Sequence, residues 1–128
     1  MQSNDIYHDS LTIQFFSMKM NIANESLIRT ISQCADMCDY CAAACLEEEQ
    51  VAKMVICIRL NMECYSMCKT TAMLLQLGSD HAAAACQLCA DICSACADEC
   101  EKHEHEHCQE CAIVCRQCAE ECICTLPA

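Results

Sequence analysis

Eighteen of the 128 residues are cysteine, and their spacing is regular. One block has Cys at 86, 89, 93, 96 and 100; a second has it at 108, 111, 115, 118 and 122. Both step by three, four, three, four. That is the spacing of one helical face, the seam of a bundle, with sulfur where leucine usually sits. Cys34, Cys38, Cys41 and Cys45 continue the pattern upstream, and Cys57, Cys64 and Cys68 follow in a sparser version. Five CxxC steps interleave with seven CxxxC steps across the chain. Thiolates are soft ligands that select Cu(I), Zn(II) or iron–sulfur clusters.

Charge separates these candidates. One Cu(I) per thiolate leaves a buried tube near neutrality. Four Zn(II) on sixteen thiolates would leave about eight uncompensated negative charges in the interior, which is costly. Cu(I) also accepts two or three thiolates, and residues three or four apart on one helix supply two. The ferredoxin run C-x2-C-x2-C-x3-C-P is absent. Zinc or iron–sulfur carriage remains the alternative, with a redox CxxC protein as a third class. Ten aligned seam thiols exceed what disulfide exchange needs.

Other soft or borderline donors lie at one end. His103 continues the third seam three residues after Cys100, and His107 directly precedes Cys108. Spacing ranks His103 ahead of His107, and His105 last. Met54 begins the second seam at the same end. Asn61 takes a seam position where a cysteine is expected, and bonding to nearby backbone is its expected role. Cys124 falls two residues after Cys122, off the seam.

The elements that position these residues are helices. One Gly and one Pro leave little to break them. We expect an all-α protein, an up-down-up-down four-helix bundle with a short N-terminal amphipathic helix. Residues 1–23 contain no Cys; Leu11, Phe15, Met18 and Ile22 give the N-terminal helix a face to pack on the bundle formed by 24–128. Asn24 or Ser26 is the expected cap of the first long helix. The second is expected over 49–77 with Gly78 as its stop, the third over 80–102 capped by Ser79 or Asp80, and the fourth from about 105 to 122. Leu27 and Ile31 open the first seam, and Thr71 and Leu75 close the second. If those helices are antiparallel, one end is plugged by apolar side chains and the other, with the EKHEHEH turn, is the mouth.

Composition excludes other classes. A net charge of −12 argues against nucleic acid. No apolar run is long enough to span a membrane. The first residues carry no signal-peptide pattern, so a reducing cytoplasmic setting with free thiols is expected. No nucleophile–base pair or phosphate loop is visible, so the chain is not expected to be an enzyme.

The segments ICIRLNMECYSMC, QLGSDHAAAACQLCADICSACADEC and HCQECAIVCRQCAEEC resemble the bacterial copper storage proteins, and the likeness runs over about residues 24–124. Lacking an export signal, the chain is similar to the cytosolic branch. That resemblance implies a preformed bundle filled by many Cu(I) ions, about one per Cys, and a homotetramer. It implies the eighteen cysteines as ligands, with His103 and His107 at the open end. A copper chaperone is the kind of protein partner such a store implies.

Overall fold

The structure is a computed structural model. It describes the backbone of residues 3–125 and the side chains of residues 24–125. Four helices account for nearly all of it: α1 (Ser3–Leu46), α2 (Val55–Gln76), α3 (Ala82–Cys100) and α4 (Glu106–Cys124). A 3-10 turn, Val51–Met54, leads into α2. No strand occurs among the described residues.

The helices form a square. Each packs on two neighbours, α1 on α2 and α4, and α3 on α2 and α4. Sulfur contacts fix the directions. Cys45 meets Cys57 while Cys34 meets Cys64, so α1 and α2 are antiparallel. Cys57 meets Cys100 while Cys68 meets Cys89, and Cys41 meets Cys108 while Cys34 meets Cys115. Every adjacent pair is therefore antiparallel, the up-down-up-down order expected.

The expected N-terminal helix exists as backbone but is not separate. It runs unbroken into α1, so neither Asn24 nor Ser26 caps a new helix. With no Gly or Pro nearby, each backbone N–H there finds its ordinary i−4 carbonyl, and a capping side chain has nothing to satisfy. The side chains of residues 1–23, including Met18 and Met20, lie outside the described residues, as does Pro127.

Gly78 stops α2 as expected. Its φ of 64° is left-handed, and Ser79 N–H reaches Leu74 O while Gly78 N–H reaches Leu75 O, the paired bonds of a Schellman end. Ser79 Oγ then accepts from His81 N–H before α3 begins. Most other bounds shift inward, while α4 runs on to Cys124. Residues 47–54 form turns and the 3-10 segment, so α2 starts at Val55 rather than Glu49. α3 ends at Cys100, and α4 begins at Glu106.

Small side chains set the spacing between helices. Ala35, Ala42, Ala90, Ala97, Ala112 and Ala119 are buried among the thiols, and Ala44 is half-buried. They let the backbones approach until sulfurs from different helices touch. The end opposite the mouth is apolar: Leu27 and Ile31 are buried, and Leu27 and Leu75 line one pocket beside Gly78 and Ala82. On the surface, Arg116 pairs with Asp98 and Glu101 across α3 and α4. Exposed pairs of this kind contribute little stability.

Candidate metal centre

Seventeen of the cysteines are buried and unpaired as thiols, and Cys124 is exposed. Sulfurs on different helices lie 3.5 Å apart at Cys64–Cys93, 3.6 Å at Cys38–Cys115 and 3.7 Å at Cys68–Cys89. A metal about 2.3 Å from each sulfur spans such gaps without moving a helix. The thiols are close enough to share ions before any ion arrives.

The sulfurs fall into quartets whose members all lie within 4.8 Å of one another. Four quartets form a ladder. Cys38, Cys96, Cys111 and Cys115 share Cys38 and Cys115 with the next, which adds Cys34 and Cys64. Those two belong also to the quartet with Cys68 and Cys93, which in turn recur with Cys89 and Cys118. Shared sulfurs are what thiolate bridging requires. A fifth quartet, Cys41, Cys45, Cys57 and Cys108, sits at the mouth and shares no sulfur with those four. Cys86 and Cys122 are buried toward the plugged end.

Asn61 stands between the mouth quartet and the ladder, fully buried. Its Nδ2 donates to Cys57 O at 2.9 Å and to the sulfurs of Cys41 and Cys57 at 3.4 Å each. Its Oδ1 accepts from Cys111 at 3.0 Å and Cys96 at 3.4 Å. The backbone bond expected from the sequence is present. The bonds to thiols on three other helices are a finding of the tertiary structure.

Burial raises the cost of ionising these thiols. Cys45 is pushed up to about 11, first by burial and then by the neighbouring Cys57. Cys108 is raised by the same two causes in the same order. Deeper in, Cys38 is raised chiefly by its hydrogen bonds with Cys111 and Cys115. At neutral pH such thiols hold their protons, and a protonated thiol packs as a small hydrophobe. Hydrogen bonds from neighbouring thiols act the other way on Cys34, Cys64 and Cys111, which are lowered.

At the mouth the order expected from spacing is reversed. His107 faces the thiols: its Nδ1 lies 3.5 Å from Cys41 Sγ, 3.5 Å from Cys108 Sγ and 3.9 Å from Cys45 Sγ. Its Nε2 lies 3.0 Å from Glu48 Oε1. His103 instead places Nε2 2.9 Å from Glu99 Oε2. Spacing put His103 on the seam, but α3 ends at Cys100 and the seam ends with it. Met54 is buried and, with His103 and His105, lines an open cleft that includes Glu48, Glu49 and Lys53. Gln109 Nε2 donates to His103 O at 2.6 Å, holding the turn against α4.

The profile of the copper storage protein family matches residues 20–127. The chain belongs to the copper storage protein family. Its fold is similar to that of a Cu(I)-bound copper storage protein, BsCsp3, at 40% identity and a TM-score of 0.79, covering 82% of this chain and 99% of that one. A cytosolic copper storage protein from Streptomyces lividans, in a structure of its copper loading with five coppers, aligns at 41% identity and a TM-score of 0.79, over 84% of this chain and 94% of that one. A cysteine-rich protein of Bacillus subtilis (strain 168), YhjQ, is 42% identical over 84 residues, 66% of this chain and 78% of the relative. Among the described residues no helix is long and apolar enough to cross a membrane.

Two partners of the histidines were not foreseen from sequence. Glu48 and Glu99 hold the outer nitrogens of His107 and His103. Glu99 stands four residues before His103, a spacing readable in the sequence even though the helix ends between them. Glu48 is 59 residues from His107, and no local pattern links them.

Proposed function

We propose that this protein is a cytosolic store for Cu(I), holding many ions, about one per buried thiol, as thiolate-bridged species. The ladder of quartets sharing two sulfurs at each step carries this reading. Zinc demands four ligands in a fixed tetrahedron, whereas closely shared sulfurs suit an ion that takes two or three. The ligands are Cys34, Cys38, Cys41, Cys45, Cys57, Cys64, Cys68, Cys86, Cys89, Cys93, Cys96, Cys100, Cys108, Cys111, Cys115, Cys118 and Cys122. His107 and then His103 receive ions at the mouth with Met54, and Cys124 is an outlying thiol at the other end.

The role is storage and sequestration rather than catalysis, with a copper chaperone as exchange partner. The protein works as a homotetramer. Exposed apolar side chains along the helices, including Tyr40, Ile56, Met62, Met73 and Ile113, supply contact surface for other copies. The test is an anaerobic titration of the reduced protein with Cu(I) against a competing chelator. Saturation near one Cu(I) per thiol is expected. Saturation near four Zn(II), with Cu(I) bound no more tightly, would reject the reading.

A further inference from the structure

The mouth contains a carboxylate, Glu48, that faces two imidazoles rather than a helix end. Glu48 sits in the turn between α1 and the 3-10 segment, and no side-chain cap bond is made at the start of that segment. Glu48 Oε1 lies 3.0 Å from His107 Nε2 and 3.5 Å from His105 Nδ1. The two imidazoles are nearly parallel, 4° apart in plane with centroids 5.3 Å apart. His107 is largely buried, and its other nitrogen faces Cys41, Cys45 and Cys108. The second carboxylate at the mouth, Glu99, is already engaged by His103 and Lys102. Lys53, in the same cleft, is exposed and forms no ion pair with Glu48.

A neutral imidazole has one N–H and one lone pair. A carboxylate can only accept, so the nitrogen 3.0 Å from Glu48 carries the hydrogen. The nitrogen facing the sulfurs is then bare. A bare nitrogen accepts an S–H or takes a soft cation; a protonated one does neither. Without Glu48 the hydrogen is free to move to the inner nitrogen, and the ring is free to turn away.

We infer that Glu48 is a positioning residue that sets the tautomer and orientation of His107, and through it the rate at which Cu(I) passes between the mouth quartet and the outside. The inference rests on the copper-storage reading only for its second half. Outer-sphere carboxylates on imidazole ligands commonly change metal affinity or activity by about 10–100-fold when removed. His105, sharing the same carboxylate oxygen and stacked outside His107, is held as the outer face of this device.

The test uses the full-length reduced protein, first without copper. Long-range proton–nitrogen NMR of the imidazoles should show His107 as the Nε2–H tautomer. Glu48→Ala should give a mixture with the Nδ1–H form, while Glu48→Gln, whose amide oxygen still accepts, should restore Nε2–H. Circular dichroism confirms that each variant keeps its helices. Stopped-flow withdrawal of Cu(I) by a chelator should then slow by about 10-fold in Glu48→Ala and recover in Glu48→Gln. An unchanged His107 tautomer in Glu48→Ala, or a shifted tautomer with an unchanged withdrawal rate, overturns the inference. Failure of the wild-type protein to take up copper would sink the storage reading and leave the tautomer result standing.

Discussion

The mouth and the ladder use the same ligand in different surroundings. In the ladder, thiols meet mainly thiols: Cys34 has Cys64, Cys93 and Cys115 within 4.0 Å. In the mouth quartet, Cys41 and Cys45 meet other thiols but also His107, and behind Cys41 and Cys57 stands Asn61. In the ladder the sulfurs of Cys34, Cys38, Cys64, Cys68, Cys93 and Cys115 each belong to two of the four quartets, and Asn61 meets only the tier holding Cys96 and Cys111. The mouth is mixed, with nitrogen toward the entrance and an amide toward the interior. A uniform tube suits capacity. A mixed tier suits exchange, because its donors bind less alike and can hand an ion along.

Removing shared sulfurs gives the largest expected effect. Cys34 and Cys64 belong together to two quartets of the ladder. The double substitution Cys34→Ala and Cys64→Ala should therefore cost more copper than the two thiols removed, measured as Cu(I) bound per chain under competition. A loss matching only the thiols removed would show that the quartets act independently. Each small cavity should also lower apo stability by about 1 kcal/mol.

Joining the two regions is the next test. Asn61→Cys places a sulfur where the amide now lies between the mouth quartet and the ladder. Loading followed by the near-ultraviolet absorption of copper–thiolate bonds should pass from two phases to one. Asn61→Ala should instead lower apo stability by about 2 kcal/mol through lost hydrogen bonds and an unfilled space. If Asn61→Cys still loads in two phases, the boundary lies elsewhere.

The smallest effect expected is on pH dependence, and it belongs to the mouth. Cys45 holds its proton to about pH 11, against an ordinary value of 9.0. A raised pKa of this sign means its contribution to stability is complete below pH 9 and lost as pH rises toward 11. The thermal midpoint of the apo protein should fall over that window, and Cys45→Ala should flatten the fall. Copper affinity should move the other way, rising with pH below that range because each thiol engaged gives up a proton. A flat melting profile from pH 9 to 11 in the wild type would contradict the assignment.

How far the sequence carried differs between the same two regions. The ladder was legible because a repeat of three and four is both the helix period and the metal pattern. The spacing of the cysteines therefore marks the helix faces and the thiols that line the interior together. The plugged end was legible because Leu27, Ile31, Thr71 and Leu75 continue the same seams. The mouth was much less so. Spacing favours His103 on a seam that stops at Cys100, and composition suggests a cap at Asn24 or Ser26 that the continuous α1 does not use. Helix ends depend on turn geometry, and turn geometry is decided by contacts between distant residues.

The sequence by itself determined an all-helical chain, four thiol-bearing faces, the apolar end and a copper-binding chemistry, since helical period and ligand softness are properties of residue type and spacing. Only the tertiary structure decided which sulfurs share a quartet, that Asn61 bonds to sulfurs of both mouth and ladder, and that His107 rather than His103 faces the thiols. Those outcomes turn on distances of a few ångströms between helices. Alanine packing and the turn carrying Glu48 set those distances, and no local pattern encodes them.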